Sequence, residues 1–166
     1  MNIRIHTSYG PITIGLETDA CELTTGNFIR YINDGFYDGT LFHRVIDNFI
    51  VQGGGFEHGL TQKATRPPIR NESAAGLHNK RGTIAMARLP DEPDSATSQF
   101  FINMNDNLSL DYHYSSSEDW GYCAFGRVTE GMRVVDRINC VGTRTIEKYS
   151  DVPTEDIVIE RIEPIH

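Results

Sequence analysis

Cysteine is scarce in this chain, and its scarcity excludes two classes of protein. Cys21, Cys123 and Cys140 are the only three. They are too few and too scattered for a disulfide framework, and no CxxC or cysteine-plus-histidine spacing suggests a zinc site. An odd count points to a reducing compartment, and the opening MNIRIHTSYGPITIG lacks the apolar core of a signal peptide. No run approaches the roughly 18 apolar residues of a membrane span. A cytoplasmic protein with no membrane partner is therefore expected. Cations are also in the minority, with 15 Lys and Arg against 23 Asp and Glu and a net charge of -8. A sequence-independent grip on phosphate backbones needs a basic face, so nucleic acid is not an expected partner. GxxxxGK and GxSxG are absent as well, which removes the usual phosphate-loop and serine-nucleophile signatures. There are no internal repeats, and no low-complexity stretch is longer than Ser115–Ser117.

What is present suits one ordinary domain. The length of 166 residues and the hydrophobic fraction of 39% are those of a single globule with a sizeable core. Ile3 and Ile5 alternate, as do Ile12, Ile14 and Leu16, which predicts a hairpin turning at Ser8–Pro11. Thr18 or Asp19 is placed to cap a helix that runs to about Asn33 and stops at Asp34-Gly35. Phe28 and Ile32 form its apolar stripe, flanked by Cys21, Thr25 and Ile29. Gly26 costs such a helix about 1 kcal/mol relative to Ala, so a close approach is expected there. Glu57–Lys80 reads as a long ordered loop. Further strands are predicted at Thr83–Ala87, in QFFINM, in YCAFGRV and in the closing DIVIERIEPI. EGMRVVDRIN reads as a second helix. Many short strands, two helices and long connections fit a mainly antiparallel sheet closed into a barrel, with a sandwich close behind.

One stretch demands a chemical reading. FHRVIDNFIVQGGGF, Phe42 to Phe56, is two strands around a turn, with Arg44 among the apolar residues of one and Gln52 among those of the other. A two-residue loop at Asp47-Asn48 would send Arg44 and Gln52 to opposite faces. A loop that also takes Phe49 would set them opposite each other. The sequence leaves both registers open; the second groups the polar heads and puts Val45 and Val51 in the core. Gly53–Gly55 removes side chains where other backbone can come close.

This stretch together with GTIAMARLPDEPDSATSQFFIN resembles the two signature segments of the cyclophilin family of peptidyl-prolyl cis-trans isomerases. The resemblance continues through GNF, RNE, NLSLD and FGRVTEGMRVVDRI, covers nearly the whole chain, and is strongest to the cytosolic bacterial branch. It implies a closed eight-stranded antiparallel β-barrel capped by two α-helices, with no metal or cofactor. It makes Arg44 the catalytic arginine. Phe49, Ile50, Phe101 and Leu110 become the walls of a proline pocket, and Gln52 and Gln99 the binders of substrate backbone. Ala87 meets the residue before proline. Three positions depart from the common pattern. Arg88 replaces an asparagine, Tyr122 replaces a pocket histidine, and Ser109 replaces the tryptophan that helps to bind cyclosporin. Tyr112 or Trp120 is a candidate substitute for that ring.

The implied partners are proline-containing peptides and flexible protein segments, with weak cyclosporin binding. No long apolar stripe calls for an obligate dimer, so a monomer is expected. The competing reading is a proline-peptide binding module or chaperone whose turnover is incidental. A hydrolase built on His43 lacks a nucleophile elbow.

Overall fold

The computed structural model describes residues 1–113 and 120–166; the serine run at 115–117 lies outside them. The chain opens with the predicted hairpin, β1 (Asn2–Thr7) and β2 (Gly10–Leu16). Ile3 pairs with Ile14 and Ile5 with Ile12, and all four are fully buried. Helix α1 spans Glu22–Asn33. The middle of the chain supplies β3 (Arg44–Ile46), β4 (Ile50–Gly53), the short ribbon β5 (Phe56–Glu57) and β6 (Thr61–Gln62), β7 (Thr83–Met86) and β8 (Phe100–Asn103). A single 3-10 turn follows at Leu108–Leu110. The chain ends with β9 (Ala124–Glu130), α2 (Met132–Asn139), the hairpin β10 (Thr143–Ile146) and β11 (Tyr149–Pro153), and β12 (Ile159–Ile165).

Eight strands form one sheet in the order β12-β1-β2-β9-β7-β8-β4-β3. The antiparallel pairing and the two helices are as expected. Closure is not: the sheet is an open curl of 217°, and β12 and β3, its two ends, share no ladder. The ends meet at one isolated bridge, Leu41 with Val158, supported by the Phe42 amide donating to Ile157 at 2.9 Å and the Ile159 amide to Thr40 at 2.7 Å. Instead of β12, it is β11 that packs against β3, and the β10–β11 hairpin was not foreseen.

Helix α1 lays Phe28 into the hollow of the curl. Its ring meets Phe100 edge-on at 5.5 Å, Phe125 at 5.2 Å and Tyr37 at 5.3 Å. Truncating a ring so enclosed costs about 3–5 kcal/mol. Neither Thr18 nor Asp19 caps the helix. Cys21 takes the cap position without a side-chain bond, and Glu72 from the long loop serves instead. Its carboxylate accepts from the Thr24 amide and the Thr24 hydroxyl, both at 2.6 Å. An anion at this end of a helix is favourable on both counts, satisfying a free N–H and meeting the positive end of the dipole. The close approach expected at Gly26 is absent: an added Cβ there would meet nothing within 4 Å, because that side of the helix faces solvent.

His43 goes to the core side, as the three-residue loop requires. It is 6% exposed, its ring lies 4.4 Å from that of Phe56, and its Nδ1 has no hydrogen-bond partner among the described residues. Burial, reinforced by the neighbouring Arg44 charge, lowers its pKa to about 4. The unfolded chain takes up this proton near 6.5 and the folded one does not until about 4. Folding is therefore opposed increasingly as pH falls through that window. Urea unfolding at pH 7.5 and pH 5 should show a loss of about 2 kcal/mol at the lower pH from this group alone. In His43→Leu that part of the slope should vanish; an unchanged slope would contradict the assignment.

Candidate active site

The β3–β4 hairpin adopts the register that groups the polar heads. Arg44 pairs with Gln52, Val45 with Val51 and Ile46 with Ile50. Asp47, Asn48 and Phe49 make the loop, and Asn48 has φ of +56°, a left-handed conformation that asparagine tolerates better than most residues. The turn is clamped from α2. The Asn139 side chain accepts from the Asn48 amide and donates to the Ile46 carbonyl, both at 3.0 Å.

The face so formed carries a short relay. Arg44 Nη1 donates to Gln52 Oε1 at 3.0 Å, and Gln52 Nε2 donates to Gln99 Oε1 at 3.0 Å. The relay depends on the glycine run. A Cβ at Gly55 would fall 2.5 Å from Gln99 Cγ, and one at Gly54 would fall 2.8 Å from the Phe100 ring. Gly54 also has φ of +89°, which a side chain rarely adopts. Strand β8 pairs Gln52 with Phe101, so Phe101 shares the face of the relay while Phe100 fills the core.

Arg44, Gln52, Phe49, Ile50, Phe101 and Leu110 surround a cavity of about 290 Å³ with Ala87, Arg88 and Tyr122, and Pro90 adds a wall that the sequence did not suggest. Gln99 is the single expected site residue outside this lining; it reaches the cavity through Gln52. Ile50 and Phe101 are almost fully buried, and with Ala85 and Ala124 they form an apolar cluster separate from the main core. The floor is thus greasy and rigid, and the rim holds the Arg44 guanidinium beside the Gln52 amide, with Arg88 as a second cation.

The walls are tied down by asparagines that sequence reasoning missed. Asn107 Nδ2 donates to the Phe49 carbonyl and to Asn103 Oδ1, each at 2.9 Å. Asn103 Nδ2 donates to Asn79 Oδ1 and Thr83 Oγ1 at 3.0 Å. Asn79 Nδ2 donates to the carbonyls of Tyr122 at 3.0 Å and Leu110 at 3.3 Å. Asn79 and Asn103 are fully buried. The chain therefore fixes the backbone of three wall residues through a satisfied polar network, the kind of arrangement that specifies one geometry. Asp111 closes it by accepting from the Asn79 amide at 2.7 Å. Burial alone would raise the Asp111 pKa, but its bonds to Asn79 and His78 outweigh that and lower it. The signal available in sequence was an asparagine ending the apolar FFIN.

Two departures from the common pattern acquire a geometry. The Arg88 guanidinium stacks over the Tyr122 ring at 4.3 Å and donates to the carbonyls of Gly121, Leu89 and Pro90 at 2.9–3.0 Å. Ser109 is exposed, and Tyr112 and Trp120 pair with each other at 5.3 Å and do not line the cavity. Among the described residues no group of three or more His, Cys, Asp or Glu is placed to hold a metal, and no helix is long and apolar enough to cross a membrane.

The family model for cyclophilin type peptidyl-prolyl cis-trans isomerases matches residues 2–164. Peptidyl-prolyl cis-trans isomerase B of Escherichia coli (strain K12) is 49% identical over 160 residues, 96% of this chain and 97% of that protein. Peptidyl-prolyl cis-trans isomerase A of Dickeya dadantii (strain 3937) is 49% identical over 159 residues, 96% and 82% of the two chains. Among solved structures, the Cryptosporidium parvum cyclophilin type isomerase, crystallised in the presence of the dipeptide Ala-Pro, superposes with a TM-score of 0.82. It is 26% identical, and the match covers 98% of this chain and 97% of that one. With both signature segments meeting at one apolar cavity, the chain belongs to the cyclophilin family of peptidyl-prolyl cis-trans isomerases.

Proposed function

We propose that this chain acts as a single domain and a monomer in the cytoplasm, speeding rotation about X-Pro bonds in flexible protein segments, with Arg44 as its catalytic group. Amide resonance opposes that rotation by roughly 18–20 kcal/mol. The catalyst has to bind the twisted amide better than either planar form. Twisting localises a lone pair on the prolyl nitrogen, and a guanidinium beside it gains a hydrogen bond that a planar amide accepts poorly. Arginine suits this role because its donors lie in a rigid plane and stay charged. The apolar walls Phe49, Ile50, Phe101 and Leu110 would hold the ring and keep water from the reacting atom. Gln52, Gln99 and the backbone at Ala87 and Arg88 would hold the peptide on either side, and Tyr122 would close the far wall.

The observation that carries this reading is the 3.0 Å bond from Arg44 to Gln52 at the rim of a cavity floored by Phe101. Crystallisation of the Cryptosporidium parvum protein in the presence of Ala-Pro supports a proline peptide as the ligand. The monomer is supported by the exposed large apolar side chains among the described residues, Met1, Leu23, Leu89 and Leu108, too few for an obligate interface. The cytoplasm is supported by three cysteines without a disulfide framework.

Arg44→Lys should lower kcat/KM on a proline peptide by roughly a hundredfold, about 2.7 kcal/mol of transition-state binding, with the unfolding midpoint nearly unchanged. A folded variant of full activity would sink the assignment. Asn79→Ala frees the Tyr122 carbonyl, while that of Leu110 keeps the Tyr122 amide as its donor. It should cost about 2 kcal/mol of stability and raise KM more than it lowers kcat, read from urea titration and initial rates. Cyclosporin should inhibit only weakly, and Ser109→Trp should strengthen inhibition while turnover stays the same. Tight inhibition of the unaltered chain would contradict this account of the loop.

A further inference from the structure

Cys21 and Cys123 lie 102 positions apart, yet the fold sets their sulfurs 3.7 Å from each other, with the Cys123 thiol donating to Cys21. Cys21 sits in the turn before α1 and Cys123 in the approach to β9. Both are buried, whereas Cys140 is exposed. The Cys21 sulfur also lies 3.8 Å from the Ala124 carbonyl, and the Cys123 sulfur 3.6 Å from the Thr24 hydroxyl. The contact makes the two thiols unequal. The hydrogen bond from Cys123 lowers the Cys21 pKa despite burial. The same bond, and then burial, raises that of Cys123. A single thiolate can form in this pair while its neighbour keeps a proton between them.

Access is narrow but present. Cys123 is 4% exposed and borders a cavity enclosed by Thr24, Glu72, Met86 and Arg88. The free space there is about 10 Å³, which suits one molecule about the size of water. Hydrogen peroxide approaches that size; a bulky disulfide reagent such as oxidised glutathione does not.

We propose that Cys21 and Cys123 form a modification site, closing to a reversible disulfide under hydrogen peroxide, and that this bond resets the wall of the proline pocket. The Cys21 thiolate takes the shared proton as the Cys123 sulfur, the one that borders the cavity, attacks one peroxide oxygen. The O–O bond breaks, and hydroxide leaves and takes up a proton as water. The product is a sulfenic acid on Cys123. The Cys21 sulfur then displaces hydroxide from it and gives up its own proton, and a second water departs. Two thiols and one peroxide thus yield one disulfide and two waters, with two electrons passing from sulfur to oxygen. A disulfide measures about 2.05 Å, so the sulfurs must close by about 1.7 Å from their present 3.7 Å. Glu72 holds Thr24 on the α1 side, and on the β9 side Asn79 holds the Tyr122 carbonyl and the Met86 amide that of Cys123, so closure pulls on both sides, and one of them carries the wall of the pocket. There Tyr122 lies 5.7 Å from Phe101 and carries the Arg88 stack, and Ala124 belongs to the apolar cluster under the pocket. A transient, sensing disulfide is the kind a reducing compartment allows.

The full chain would be treated with dilute hydrogen peroxide, denatured, alkylated with iodoacetamide and mapped by peptide mass. A linked Cys21–Cys123 peptide is expected, with Cys140 alkylated. The unfolding midpoint should rise by about 5 °C. KM for a proline peptide should rise by about threefold with kcat nearly constant. Dithiothreitol should reverse all three. In Cys21→Ser no linked peptide should form and peroxide should leave KM unchanged. Three alkylated cysteines after peroxide, or a sulfinic acid on Cys123 without a link, would overturn the site. A linked protein with unaltered KM would overturn its coupling to the pocket. The peptide map decides the disulfide whether or not the chain is an active isomerase.

Discussion

The hydrogen bond between Arg44 and Gln52 is the constraint around which the site is arranged. A half-buried guanidinium needs a partner, and the obvious one is a carboxylate. A carboxylate would hold the arginine just as firmly but cancel its field inside a low-dielectric pocket. A neutral amide orients the fork and leaves its charge available. Gln52 can fill this role because Gln99 in turn accepts its amide protons, and Gln99 fits because Gly55 has no side chain to exclude it. The glycine run, the second signature segment and the cation are thus one mechanical unit.

The pocket walls show the complementary strategy. Apolar side chains supply the surface, but their backbones are positioned by buried amides from Asn79, Asn103 and Asn107. A wall held only by dispersion would adjust to its occupant. One whose carbonyls are each assigned a donor keeps its shape when empty, so that ordering is completed at folding and need not be supplied at binding. Asn139 performs the same task for the hairpin turn from the end of α2.

The sequence made much of this legible, and its failures have a common cause. Period-two alternation located β1, β2 and β8, and fixed Phe101 on the site face once Gln99 was assigned there. Local spacing could not choose the hairpin register; the resemblance to a known family gave the residues their roles. Contacts formed between distant positions stayed hidden. Glu72 caps a helix 48 residues before it, and Asn139 clamps a turn 91 residues away. Neither is marked by any local pattern. Gly26 misled because a helical glycine has two explanations, close packing or mere tolerance at the surface, and only the solvent-facing side of α1 distinguishes them. The β10–β11 hairpin was missed because TRTI is largely exposed and YSDVP buries only the adjacent Val152 and Pro153, so neither strand shows an alternating buried face.

The capping of α1 from the long loop has a kinetic meaning. A helix whose first turn is completed by a carboxylate half a domain away gains little from forming early. Its leading end stays frayed until the 57–80 segment has wrapped across the sheet, and that wrapping in turn needs the strands on which the loop rests. On the ribosome, well over a third of the chain must emerge before the first turn of this helix can meet its carboxylate.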